Sequence, residues 1–224
     1  MECVSCEIYT INTNMNIKVS GITQFKQLKQ LDALDIEFAG LNFCKNSKRF
    51  IGNTLTADEI READFDIKKT GVFVNQAYDE IMEISGNFEL DVIQLHGEET
   101  AQLCKKLSRE NELIKTFHIN ENFAKNLDEI LKPYDETCDY YLFHYTDEKR
   151  EINSSGKKFD WSILLKYKIE KPFFIAGGIS LEDAPILKKF DHPDFFGIDI
   201  NSAFEPATGV KDLMKVLLFK KMLH

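Results

Sequence analysis

Long apolar runs are missing from this 224-residue chain. No stretch approaches the roughly 18 apolar residues that a membrane helix needs, and nothing resembles the apolar centre of a secretory leader. An excess of positive charge is missing too: 28 Lys and Arg stand against 37 Asp and Glu, a formal charge of −9. General affinity for phosphate backbones or anionic lipid depends on clustered positive charge, so neither nucleic acid nor a membrane is an expected partner. A small anionic ligand is still allowed, because a few Arg side chains or backbone N–H groups bind it whatever the net charge. The five cysteines lack the even count of a disulfide framework. A reducing cytoplasm is the expected location. Cys3 and Cys6 form an isolated CVSC with no second CxxC and no βαβ start before it. The motif is read as part of an N-terminal extension, residues 1–15, ahead of a single domain over 16–224.

What is present is a core. At 43% hydrophobic and 29% charged residues, one domain of this length buries most of its unfolded surface without disulfides or metal. From residue 16, short β-branched or aromatic runs alternate with stretches of helical period. The strand candidates are Ile17–Val19, Phe38–Phe43, Gly71–Asn75, Val92–His96, Leu113–His118, Tyr140–His144, Phe173–Ala176 and Phe196–Ile200. Between them, Thr56-Ala57-Asp58-Glu59 is a capping box. Gln76–Ser85 carries Ala77, Ile81 and Ile84 on one face and is expected to stop at Gly86. Glu99–Arg109 repeats Leu103, Cys104 and Leu107 at helical spacing, and Trp161 is expected in the core at the start of a helix. Strict strand–helix alternation with apolar strands predicts a parallel sheet under helices. Eight units in about 210 residues fit a small (β/α)₈ barrel, with a doubly wound open sheet as the alternative. No exposed apolar stripe stands out from the helix faces, so monomer and homodimer both stay open.

A barrel of this kind keeps its site at the C-terminal ends of the strands. Those ends offer Ser20, the segment Cys44 to Arg49, Asn75, His96, His118, His144, Gly177-Gly178, and Asp199 with Asn201 and Ser202. The loops after strands seven and eight are where such barrels hold phosphate. Gly177 and Gly178 there let backbone approach a ligand, and Asn201-Ser202 start a short helix whose free N–H groups favour a dianion. Tight strand termination and ordinary capping are the alternatives. Arg49 presents a planar fork to a carboxylate or is a solvated loop residue. His96 donates to a ligand oxygen or satisfies its neighbours at the rim.

The blocks KVSGIT, SKRFI, GVFVN, DVIQLHGEE, SGKKFDW, AGGIS and DINSAFE occur in an order and spacing that resembles phosphoribosylanthranilate isomerase. The resemblance implies a (β/α)₈ barrel that performs an Amadori rearrangement in tryptophan biosynthesis on a small phosphorylated substrate, with no cofactor and no metal. It implies that Arg49 binds the anthranilate carboxylate, that His96 and Asp199 touch substrate, and that Gly177, Gly178, Asn201 and Ser202 hold phosphate. In the family a Cys after strand one is the base and an Asp after strand six the acid. Here those positions are Ser20 and His144, and Ala203 follows Ser202 where the family has Gly. A serine hydroxyl is a poor base unless a neighbour takes its proton, while His144 can act as acid or as base for Ser20. Cys44, Asp147 and Glu148 on adjoining loops are possible substitutes. Three readings follow: an isomerase with rewired catalytic groups, a non-catalytic paralogue that binds a phosphorylated sugar or aromatic ligand, or a different reaction on a related sugar phosphate through Ser20 and His144.

Overall fold

A computed structural model describes residues 15–52, 54–120, 126–145 and 160–224. Eight parallel strands close into a barrel in sequence order: β1 (Asn16–Ser20), β2 (Phe38–Asn42), β3 (Lys68–Phe73), β4 (Val92–Leu95), β5 (Glu112–Ile119), β6 (Tyr140–Tyr145), β7 (Phe173–Ala176) and β8 (Phe195–Ile200). The helices on the outside are α1 (Phe25–Asp32), α2 (Ala57–Arg61), α3 (Tyr78–Phe88), α4 (Ala101–Leu107), α5 (Leu127–Leu131), α6 (Ala184–Leu187) and α7 (Leu213–Leu223). Short 3₁₀ turns cover Trp161–Lys166, Leu181–Asp183 and Ser202–Phe204. The closed barrel replaces the open-sheet alternative.

Most of the expected elements form where the pattern put them, and the exceptions have local causes. Thr56 and Glu59 close the capping box at the start of α2. The α3 helix runs through Gly86 to Phe88 and ends at left-handed Glu89 (φ 47°), so Gly86 is an interior helical residue and not a stop. Strand β3 begins at Lys68, earlier than expected, because Lys68 pairs with Phe38 of β2. Met15, placed in the extension from sequence, is buried in the core. The α7 helix exposes Met214, Leu218 and Met222 at a spacing of four, and Ile186 of α6 is exposed as well. An apolar stripe therefore exists that the helix pattern did not reveal. The CVSC motif and the segment after Tyr145, with Asp147 and Glu148, lie outside the described residues.

Side chains alternate along each strand, so every second residue points into the barrel. Phe38, Val92, Ile114, Leu142, Phe174 and Ala176 pack there as an apolar cluster separate from the larger core between sheet and helices. Moving along the same inward parity toward the strands' C-terminal ends leads from Val92 to Gln94 and His96, from Ile114 to Thr116 and His118, and from Leu142 to His144. The apolar plug thus ends in a polar layer at the mouth.

Candidate active site

Gln94, His96 and His144 of this polar layer line a cavity of about 280 Å³. On its β1 side Lys18 is fully buried, and its Nζ donates to Ser20 Oγ at 2.5 Å and to Asp199 Oδ2 at 2.9 Å. The contact follows from register, since Lys18 and Asp199 are opposed residues of neighbouring strands. A buried ammonium is costly unless paired, which explains the carboxylate beside it. Ser20 therefore accepts from Lys18. Asp199 Oδ1 is buried with no hydrogen-bond partner among the described residues. Gly21 (φ 76°) carries the chain out of β1 through a left-handed turn. A Cβ there would stand 2.3 Å from Arg49 Cδ, so glycine also makes room for that side chain.

Arg49 reaches the same mouth from the loop after β2. Its Nε and Nη2 donate to the two carboxylate oxygens of Glu205 at 2.9 and 2.5 Å. Lys211 Nζ donates to Glu205 Oε1 at 2.5 Å and to Asn201 Oδ1 at 2.8 Å. Burial pushes the Glu205 carboxyl up, but the hydrogen bonds from Arg49 and Lys211 outweigh it and hold the group below its usual range. Burial pulls the Lys211 ammonium down to about 8 against the opposing pull of Glu205. A guanidinium has five N–H donors. Glu205 engages one edge of the fork and leaves Nη1 for a ligand.

Across the mouth stand three imidazoles from consecutive strands. The ring centroids of His96, His118 and His144 are 4.9, 5.3 and 5.5 Å apart in pairs, each pair edge to face. Burial first, then the neighbouring His144 and His118, pushes His96 well below its usual value. Burial and His118 lower His144 to about 4, against an opposing effect of Asp199. Behind His96, Lys115 donates to Gly97 O at 2.7 Å and pairs with buried Glu99 at 2.8 Å. That pair fixes the turn after β4.

These features sit in a chain whose residues 17–222 match the family model described as N-(5'-phosphoribosyl)anthranilate (PRA) isomerase. The chain belongs to the phosphoribosylanthranilate isomerase family. It is 39% identical over 215 residues to N-(5'-phosphoribosyl)anthranilate isomerase of Parabacteroides distasonis, covering 94% of each chain. It is 32% identical to the enzyme of that name from Phocaeicola vulgatus, over 93% of this chain and 98% of the relative. A crystal structure of phosphoribosyl anthranilate isomerase from Thermotoga maritima superposes with a TM-score of 0.79 at 27% identity, covering 93% of this chain and 98% of that one.

Within the isomerase family's barrel, the residues singled out from sequence converge. Ser20, Arg49, His96, His144, Gly177, Gly178, Asp199, Asn201 and Ser202 all line the one cavity. Gly177 and Gly178 have φ values of 99° and 67°, a region L-residues with side chains rarely adopt. Cys44, a suggested substitute, is half-buried and outside that lining. Sequence reasoning missed Lys18, Glu205 and Lys211. Lys18 shares its strand face with Ser20, two residues on, and a lone Lys inside an apolar strand is the signal that would have found it. Among the described residues, no helix is long and apolar enough to cross a membrane.

Proposed function

We propose that this chain converts N-(5'-phosphoribosyl)anthranilate to 1-(2-carboxyphenylamino)-1-deoxyribulose 5-phosphate, with Asp199 as the base in place of the family's thiolate. The observation that carries this reading is Asp199, a residue of the cavity lining whose buried Oδ1 has no hydrogen-bond partner among the described residues, one strand from the position where the family has Cys. Arg49 meets the substrate carboxylate with the edge that Glu205 leaves open. The glycine pair and the Asn201-Ser202 turn take the phosphate, which holds the ribose between β1 and β6.

His144, across the mouth, is the donor placed to protonate the ribose ring oxygen; burial keeps its imidazolium a minor species near neutral pH, so this step is slow, and as the proton arrives the C1–O bond breaks and the nitrogen lone pair forms the protonated imine. Asp199 Oδ1 then removes the C2 proton, and its electron pair forms the C1–C2 double bond of the enolamine while the imine nitrogen recovers its electrons. Asp199 returns its proton to C1 while the C2 hydroxyl gives up its own to neutral His144, which leaves the aminoketose and restores both groups. Lys18 holds the other carboxylate oxygen, which orients Oδ1 toward the cavity. Ser20 completes the Lys18 shell and takes no proton from carbon. No nucleic acid and no lipid takes part, and the reaction is placed in the cytoplasm. The exposed Met214, Leu218 and Met222 stripe favours a homodimer over a monomer.

The test is to incubate the purified chain with phosphoribosylanthranilate and follow the loss of its fluorescence, beside a Ser20→Cys, His144→Asp double variant. Wild type is expected to turn over, and the double variant to be faster. An aspartic acid at the buried 144 position is pushed by desolvation toward its proton-bearing form, the opposite of its effect on histidine. Binding without turnover in wild type, restored in the double variant, would instead support the non-catalytic paralogue.

A further inference from the structure

We propose that His96, His118 and His144 form a binding site for a divalent transition-metal ion of the zinc class, and that the ion closes the cavity mouth. One ligand-capable nitrogen from each ring lies within 4.8 Å of the others. The ring spacing agrees with a shared ion. A Zn–N bond of about 2.0–2.1 Å puts a ring centroid about 3.2 Å from the metal, so tetrahedral ligands have centroids about 5 Å apart. The observed separations are 4.9, 5.3 and 5.5 Å.

The arrangement follows from the barrel. His118 and His144 are opposed residues of neighbouring strands, and His96 follows β4 on the same inward parity. The ends of three consecutive strands thus bring one imidazole each into mutual contact.

His96 and His118 each have a ring nitrogen held by a side-chain or backbone partner, as metal-bound histidines do. His118 Nε2 lies 2.9 Å from the carbonyl oxygen of His96. A carbonyl only accepts, so Nε2 carries a proton, which makes Nδ1 the nitrogen that this ring would offer to an ion. Gln94 stands behind His96, its amide nitrogen 3.1 Å from Nδ1, and Gln94 Oε1 is buried with no hydrogen-bond partner among the described residues. Turning that amide end for end gives Oε1 the Nδ1 proton and leaves His96 Nε2 for the ion. The two ammonium groups nearby do not repel a cation unopposed, because Lys18 is paired with Asp199 and Lys115 with Glu99. Three imidazole nitrogens drawn together, two of them from residues of the cavity lining, make a coordination site that opens on the cavity. Since His96 and His144 also line the substrate cavity, an ion there competes with substrate.

The site is tested with cobalt(II) as a spectroscopic probe on the full chain, carrying Cys3→Ser and Cys6→Ser so that no thiolate pair contributes. One equivalent is expected to give the visible d–d bands of a tetrahedral, nitrogen-ligated ion, displaced by zinc. His118 is exposed, so His118→Ala is expected to fold with a Tm near that of metal-free wild type, while binding cobalt at least tenfold more weakly. Zinc is expected to raise the wild-type Tm and inhibit turnover, and to do neither in His118→Ala. Absence of the bands at saturating cobalt, or bands unchanged in His118→Ala, would overturn the proposal. The spectroscopic outcome does not depend on whether the chain is an isomerase.

Discussion

Glu205 is a residue whose removal separates positioning from chemistry. Its carboxylate is 4% exposed and bridges Arg49, 22% exposed, and Lys211, which is fully buried. Replacing Glu205 by Gln keeps the shape and one acceptor oxygen but removes the charge that both cations share. Breaking a buried pair by deleting one partner costs about 3–5 kcal/mol. The retained oxygen and the partial exposure of Arg49 reduce this to roughly 2–3 kcal/mol, near the worth of one charged hydrogen bond. For a domain of this size each kcal/mol shifts Tm by about 2–4 °C, so Glu205→Gln is expected to melt about 5–10 °C lower. The guanidinium also loses the contact that orients it. KM for phosphoribosylanthranilate is therefore expected to rise about tenfold, the equivalent of roughly 1.4 kcal/mol, with kcat nearly unchanged. Thermal melts and steady-state kinetics on one preparation measure both. A Tm within a degree of wild type, or a fall in kcat at unchanged KM, would refute the assignment of Glu205 as the positioning residue for Arg49.

Lys211 gives a pH signature. Burial lowers its folded-state pKa to about 8 from 10.5, so between these values the unfolded chain binds more protons than the folded one. Stability from this group therefore rises as pH rises from 8 to 10.5. The unfolding free energy of wild type relative to Lys211→Met is expected to increase over that range by up to roughly 3 kcal/mol. A pH-independent difference in denaturant melts would count against it. Leu218→Glu, at the centre of the α7 stripe, is expected to shift the mass measured by light scattering from dimer to monomer while the Tm moves little. A wild-type chain that is monomeric at high micromolar concentration would show that the stripe is ordinary surface. Arg49→Ala is expected to raise KM more than Glu205→Gln does, because it removes the fork itself, and equal effects would place the carboxylate elsewhere.

The barrel was legible because each strand announces itself locally. Phe173–Ala176 was located to the residue, and β1, β2, β5, β6 and β8 to within a residue or two. Parity along those strands brought the strand-end residues to one mouth. What was not legible was the partnership between side chains distant in sequence. Lys18 and Asp199 are 181 residues apart, and Arg49 and Glu205 are 156 apart. The identity of each was visible, but their pairing depends on closure of β8 onto β1. His118 looked like one more rim residue until the pairing of β5 with β4 and β6 set it beside His96 and His144. Gly86 misled for a different reason: helix α3 is held by packing of Ile81 and its neighbours, which outweighs the modest cost of an interior glycine. The exposed stripe on α7 was hidden because the helix is apolar on several faces, and only burial distinguishes Val216 and Phe219, inside, from Met214 and Leu218, outside.

The central claim is that Asp199, and not Ser20, accepts the substrate's C2 proton. The most direct measurement compares kcat for phosphoribosylanthranilate in wild type, Ser20→Ala and Asp199→Asn, with thermal melts confirming that each variant is folded. General base catalysis is worth roughly 10²–10⁴-fold. The account predicts a kcat loss in that range for Asp199→Asn, with little change in KM, and a kcat within a few-fold of wild type for Ser20→Ala. A folded Asp199→Asn that turns over normally while Ser20→Ala is inactive would contradict it.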